Sequence, residues 1–287
     1  MSEAAVTSPL MTLPAMDADR ARIEVAMRES VVTADPYLTE LASHLIVAGG
    51  KRLRPVLAVV AAQVGGDGAS DGVVRGGVAC ELVHLGSLYH DDVMDEAPTR
   101  RGVETVNAKW GNLQAILAGD FLLARASEIA ASLGTEVAGL LARTIGWLCE
   151  GQIEELRHTY DTSRSETSYL ASIRGKTASL FGTAGRIGGL VAGLDSNLVD
   201  TVTEYGTAYG MVFQLVDDLL DITATEEQLG KPAGHDMVEG VYNLPVLRTL
   251  AAGGTPAEEL LDLLGAPLDT AGRDKALGIV RGGTSRG

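Results

Sequence analysis

The pentapeptide Asp91-Asp92-Val93-Met94-Asp95 reappears along the chain as Asp217-Asp218-Leu219-Leu220-Asp221. On a helix the first and last aspartates of each set share a face, and the middle one lies about 100° round. Three carboxylates then converge on a volume the size of a hydrated cation. Each set also falls at the C-terminal end of an apolar-striped helix. There the macrodipole disfavours an anion by about 0.3–1 kcal/mol, and like-charged neighbours add to that. A solvated charge run accounts for one such set, but two call for something positive between them. Oxygen ligands without His or Cys partners favour Mg²⁺ over zinc, and Mg²⁺ takes one or two carboxylates together with substrate phosphates. The chemistry indicated is metal ions bridging carboxylates to a polyphosphate.

A diphosphate also needs direct cationic contacts, and the scarce basic residues are grouped accordingly. Lys51-Arg52-Leu53-Arg54 follows Gly49-Gly50, and Arg100-Arg101 stands just beyond the first aspartate set. Lys176-Thr177 and Lys231 flank the second. The guanidinium fork suits phosphate oxygens, and lysine supplies a point charge. For Lys51 to Arg54 the competing role is a basic helix C-cap.

The elements that must position these groups are helices nearly throughout. Apolar residues recur at three- and four-residue steps at Val74, Val78, Leu82, Leu85 and Leu88, and similarly over 113–129 and 202–222. No period-two run bounded by hairpin signals predicts a sheet. Breaks are predicted at Gly49-Gly50, at Gly65 to Gly68, at Ala97-Pro98-Thr99 and at Gly230 to Gly234, with Arg54-Pro55 opening a helix. Gly182, Gly185, Gly188 and Gly189 fall inside a predicted helix, where close packing offsets their propensity cost of about 1 kcal/mol. The expectation is an all-α fold in one continuous domain over 17–287, after a loose leader over 1–16.

The 287 residues carry 23 basic and 38 acidic side chains, a net charge of −15, and are 46% hydrophobic but only 4% aromatic. That balance excludes disorder and a basic nucleic-acid surface. No apolar run of about 18 residues predicts a membrane span. Cys80 and Cys149 lie far apart in apolar surroundings and are expected to be buried free thiols, which suits a reducing cytosol. The start of the chain lacks a basic region followed by an apolar stretch, so a cytoplasmic location is expected.

The ordered set Gly49-Gly50-Lys51-Arg52-Leu53-Arg54-Pro55, Asp91 to Asp95 with Arg100-Arg101-Gly102, Gly119-Asp120, Gly175-Lys176-Thr177, Phe213-Gln214 through Asp221, and Gly230-Lys231-Pro232 resembles the trans-polyprenyl diphosphate synthases. The resemblance spans about residues 20 to 250. It implies an all-helical bundle with a deep central cavity, assembled as a homodimer. The implied reaction is head-to-tail condensation of isopentenyl diphosphate with an allylic diphosphate. In that scheme Asp91, Asp92, Asp95, Asp217, Asp218 and Asp221 hold Mg²⁺ on the allylic diphosphate, which Arg100, Lys176 and Lys231 also contact. Lys51, Arg54, His84 and Arg101 match the isopentenyl diphosphate site. Thr177 and Gln214 match positions facing the developing cation. A lone histidine on an apolar helix is ordinarily a satisfied core residue, but His84 stands two turns before Asp91 on one face, as the family has it; His90 matches no family role.

Bulky aromatics one turn beneath the first aspartate set act as a floor in short-chain members. Here Gly86 and Ser87 stand at that depth, with Tyr89 on another face, so a product longer than fifteen carbons is expected. The chain departs from the pattern at Val241 and Asn243, where many members have lysine and threonine. It also departs after Val280, where one or two further helices usually follow and a Gly-, Ser- and Arg-rich tail stands instead. A non-catalytic isoprenoid-binding or partner subunit is the alternative from another class, and a terpene cyclase the alternative enzyme. A cyclase has no use for the Gly49 to Pro55 motif.

Overall fold

The helical periodicity is realised almost as spaced. In the computed structural model, which describes residues 9–13, 15–66, 68–225 and 232–284, helices α1 (Met16–Ser30), α2 (Pro36–Val47), α3 (Leu53–Gln63) and α4 (Asp71–Met94) come first. A short hairpin, β1 (Thr99–Arg100) and β2 (Val103–Glu104), separates them from α5 (Val106–Trp110) and α6 (Asn112–Ser132). Then come α7 (Thr135–Arg157), α8 (Glu166–Ile173), a π-helical turn (Arg174–Ala178), α9 (Ser179–Val191) and α10 (Ser196–Thr223). The chain closes through α11 (His235–Val238), α12 (Leu244–Ala252), α13 (Gly254–Leu261) and α14 (Thr270–Thr284). Local chemistry sets the starts. The Asp35 side chain accepts from Tyr37 N–H with Pro36 in the first turn of α2, and Ser70 accepts from Val73 N–H at the head of α4.

The chain divides into two compact units, residues 1–145 with 180–207, and residues 146–179 with 208–287. In the first, the core is mostly aliphatic, with Ile23, Met27, Leu45, Val56, Leu57, Leu82, Leu85 and Leu122 all at most 2% exposed beside the buried Tyr89 and Phe181. The glycines of α9 are sites of close approach. A Cβ on Gly188 would overlap the Ala58 carbonyl of α3, and one on Gly185 would overlap the Val202 carbonyl of α10. The second unit has its own core of Tyr169, Ile173, Ile222, Met237, Tyr242, Val246, Leu260, Ala276 and Val280.

Four local expectations are corrected. The hairpin is sheet structure, with Thr99 paired to Glu104 and Arg100 to Val103. Two residues per strand are too few to show alternation, but its turn, Arg101-Gly102, has positive φ at both positions, as tight hairpin turns require. Within the expected loose leader, Pro9–Thr12 form a 3₁₀ turn with Leu10 8% exposed, and Met16 is 1% exposed, because both find apolar partners. Cys80 is buried, but Cys149 is exposed, since its turn of α7 lies on a solvent-facing side. The C-terminal segment is a helix that starts at Thr270 and continues past Val280, with Arg281 Nε donating to the Ile222 carbonyl at 2.7 Å. That contact places a cation on the last carbonyls of α10, where the helix dipole favours it.

Candidate active site

The first aspartate set ends α4 as its spacing predicted, with Asp95 as the C-cap residue. Asp92 is 1% exposed and accepts from Arg100 Nε at 2.5 Å, while its Oδ2 is buried without a hydrogen-bond partner. Burial pushes the Asp92 carboxyl upward in pKa, and the Arg100 guanidinium opposes the shift. Arg100 is delivered by the hairpin. The Thr105 hydroxyl donates to the Ala97 carbonyl at 2.6 Å, and Asn107 Nδ2 donates to the carbonyls of Asp92 (3.0 Å) and Ala97 (3.2 Å), tying the hairpin to the end of α4.

The same hairpin delivers Arg101 to the loop before α3, where Arg101 Nη1 donates to the carbonyls of Leu45 (3.2 Å) and Gly49. Arg54 lies in the first turn of α3, 8% exposed, with its guanidinium 4.5 Å over the Phe181 ring and its Nε unpartnered. Burial lowers the pKa of both Arg54 and Arg101. His84 lies in the field of Arg54, Arg101, Arg100 and Arg52; burial, and then those four cations, hold its pKa well below the ordinary histidine value. Lys51, at the end of the loop, is exposed. The structure therefore gathers Arg54, His84 and Arg101 on one side of α4, two turns beneath Asp91.

Beneath the first aspartate set the two small residues part company. A Cβ on Gly86 would stand 3.0 Å from the Gly119 carbonyl and 3.3 Å from Leu123 of α6, so its smallness serves the α4–α6 contact rather than open space. Ser87 is half-buried, with its hydroxyl donating to the His84 carbonyl at 2.8 Å. Tyr89 faces α2, where its hydroxyl donates to the Leu41 carbonyl at 2.7 Å, which bears out its placement on another face.

In the second unit, Asp218 and Asp221 are buried near the end of α10 and Asp217 is exposed. Asp218 accepts from the Tyr169 hydroxyl and from Gln214 Nε2 at 2.8 Å. Burial pushes its carboxyl pKa up, and these two hydrogen bonds oppose the shift. The Thr177 hydroxyl donates to Gln214 Oε1 at 2.9 Å, completing a Thr177–Gln214–Asp218 chain. Lys176 pairs with Glu155 at 2.6 Å. Both Lys176 and Thr177 lie in the π-helical turn, which packs backbone to backbone on α7. A Cβ on Gly151 would strike the Lys176 amide, and one on Gly175 would approach the Trp147 carbonyl at 2.8 Å. Lys231 lies outside the described residues.

Three participants escape sequence reasoning. Glu155 holds Lys176 from α7, a partner 21 residues away in sequence. Tyr169 and Asp236 are the others; the Asp236 amide donates to Asp221 Oδ2 at 3.4 Å. Asn243, a departure from the family pattern, is 1% exposed, and its Nδ2 donates to the Asp218 carbonyl (3.4 Å) and to Asp236 Oδ2 (3.3 Å). Among the described residues no three acidic, histidine or cysteine side chains form a ready metal cage. In each set the middle aspartate also pairs with protein donors, Asp92 with Arg100 and Asp218 with Tyr169 and Gln214. The hard, unpartnered Asp92 Oδ2 still fits a Mg²⁺ that keeps waters and substrate phosphates among its ligands.

A model of the polyprenyl synthetase family matches residues 35–277. Nonaprenyl diphosphate synthase of Mycobacterium tuberculosis is 42% identical over 255 residues, covering 89% of this chain and 76% of that protein. Heptaprenyl diphosphate synthase component 2 of Geobacillus stearothermophilus is 43% identical over 234 residues, 81% of this chain and 73% of that one. Among solved structures, heptaprenyl diphosphate synthase from Staphylococcus aureus superposes with a TM-score of 0.88 at 30% identity, over 93% of this chain and 84% of that one. A polyprenyl synthase from Caulobacter crescentus, complexed with calcium and isoprenyl diphosphate, gives 0.87 at 36% identity, over 95% and 83%. With helices throughout and both aspartate sets ending long helices, as its motifs anticipated, the chain belongs to the polyprenyl synthetase family.

Proposed function

We propose that this prenyltransferase condenses isopentenyl diphosphate head-to-tail with an allylic diphosphate to give a polyprenyl diphosphate longer than C15. The observation that carries this is the gathering of Arg52, Arg54, Arg100 and Arg101 around His84, two turns beneath Asp91. Such a cationic pocket fits a second diphosphate, for which a cyclase has no use.

Lys51, Arg54, His84 and Arg101 bind the isopentenyl diphosphate. Arg100, Lys176 and Lys231 bind the allylic diphosphate and stabilise charge as it departs. Asp91, Asp92, Asp95, Asp217, Asp218 and Asp221 would hold Mg²⁺, whose charge would offset the negative charge on a leaving pyrophosphate. Thr177 and Gln214 direct oxygen dipoles at the developing allylic cation. The isopentenyl double bond attacks that cation, and the proton then lost passes to the departing pyrophosphate.

A homodimer is part of this proposal, supported by the exposed Leu113 (74%), Ile116 (40%) and Leu117 (65%) along one side of α6. So is a cytoplasmic setting with transient membrane contact, which the lipophilicity of a long product supports; among the described residues no helix is long and apolar enough to cross a membrane.

The test is incubation of purified protein with Mg²⁺, labelled isopentenyl diphosphate, and farnesyl or geranylgeranyl diphosphate. Elongated diphosphates are expected. Cyclic hydrocarbons would point to a cyclase, and absence of turnover to a partner subunit. Asp91→Ala and Asp217→Ala each abolish the activity; if either leaves it intact, the metal assignment is wrong.

A further inference from the structure

Glu81 is 2% exposed and lies one turn before His84 on α4, which puts a carboxylate inside the cationic pocket. Its Oε1 stands 3.6 Å from Arg52 Nη1, and its Oε2 is buried without a hydrogen-bond partner. Arg52, 3% exposed, is held elsewhere too. Its Nε donates to Glu24 Oε1 of α1 at 2.7 Å, and its Nη2 donates to Glu24 Oε2 at 3.4 Å and to the Ile46 carbonyl at 2.8 Å. The Arg52 backbone is left-handed, at φ 49° and ψ 41°. A long L side chain keeps that conformation only where its surroundings over-determine it. The kink it makes falls between Lys51, at the end of the loop, and Arg54, in the first turn of α3.

Three guanidiniums crowd this region. Nη1 of Arg101 and Nη1 of Arg52 both press on Gly50, where a Cβ would stand 2.9 and 3.1 Å from them. Arg52 repels Arg101, and Arg101 repels Arg54, while Glu81 attracts both Arg54 and Arg101. None of these interactions requires substrate.

We propose that Glu81 is a positioning residue for the isopentenyl diphosphate site. With Glu24 it clamps Arg52, and it holds Arg54 and Arg101 in place before the diphosphate arrives. The inference rests on the assignment of that site given above. A pre-formed donor set spares the ligand the cost of ordering long, mutually repelling side chains.

The sign of the effect separates positioning from plain electrostatics. Removing an acid from an anion site would, by Coulomb attraction alone, tighten anion binding. Positioning requires the opposite. In Glu81→Gln, calorimetric affinity for isopentenyl diphosphate without metal is expected to fall about tenfold or more. KM for isopentenyl diphosphate rises in parallel, while KM for the allylic substrate stays within about twofold, and Glu81→Asp recovers part of the loss. Unchanged or tighter isopentenyl diphosphate binding overturns the inference, as does an equal rise in both KM values. Should Glu81→Gln not fold, Glu81→Asp decides: a selective rise in the isopentenyl diphosphate KM supports positioning, and wild-type values overturn it. A wild-type chain that binds no isopentenyl diphosphate overturns the site assignment and this inference with it. Binding by the wild type and Glu81→Gln alike overturns the inference alone.

Discussion

The Thr177 hydroxyl donates to Gln214 Oε1 at 2.9 Å, and Gln214 Nε2 passes the connection to Asp218 at 2.8 Å. The hydrogen bond at each end fixes the amide orientation, so both oxygens of the pair are held in place rather than rotating freely. Preorganised dipoles of this kind stabilise charge at no reorganisation cost during reaction. Thr177→Val and Gln214→Leu are each expected to lower kcat about 10- to 100-fold, with KM for isopentenyl diphosphate little changed. Steady-state kinetics with a labelled extender substrate, alongside thermal melts, check this; unchanged kcat in a folded variant refutes the role.

Gly86 and Ser87 give different outcomes on enlargement, although both are small and adjacent. Ser87→Phe is expected to fold and to shorten the product, read by mass spectrometry of dephosphorylated prenols. Gly86→Phe pushes a ring against the Gly119 carbonyl and Leu123, and is expected to destabilise the α4–α6 contact by about 1–3 kcal/mol, the usual cost of overpacking. A product of unchanged length from Ser87→Phe would show that this position does not bound the growing chain.

Native protein is expected to present one reactive thiol and unfolded protein two. Burial pushes Cys80 up to about 12, whereas Cys149 is exposed. The thiolate is the reactive form, so a chromogenic disulfide reagent at pH 8 titrates Cys149 quickly and Cys80 only in denaturant. Two fast thiols in folded protein would contradict the placement of Cys80.

His84 links stability to acid. Its folded pKa is held below the unfolded value by burial and neighbouring arginines, so the unfolded chain binds the extra proton first. Stability is therefore fully present above about pH 6.5 and is lost as pH falls below it. Denaturant melts at pH 7 and pH 5 should show a larger loss for wild type than for His84→Gln. Equal losses would mean that another group dominates the acid response.

The order and type of the long helices were legible in the sequence because their apolar spacing repeats over many turns. So was the duplicated aspartate set, which follows an apolar stripe at each of two helix ends. From residue type and spacing alone, Lys51, Arg54, Arg100 and Arg101 formed two separate basic runs, and only the family resemblance put Lys51, Arg54 and Arg101 in one site. The hairpin that joins them has two-residue strands, too short for any alternation to register. That hairpin decides that Arg100 serves Asp92 while Arg101 turns to the loop before α3.

Partners distant in sequence were the other blind spot. Glu81 reads as one polar residue on an apolar helix, Tyr169 as an ordinary residue of α8, and Asn243 only as a departure from the family pattern before α12. Their roles depend on which groups burial leaves needing a charge or a hydrogen bond, and burial is a property of the assembled fold. Likewise, three aspartates on one helix end suggested a ready metal cage. The fold adds protein donors to the middle aspartate of each set, Arg100 to Asp92 and Gln214 to Asp218, while leaving Asp92 Oδ2 open for a cation. The sequence determined which residues carry the chemistry, through type and period; the tertiary structure decided how each is held, because only packing sets which charges are desolvated and what lies near enough to answer them.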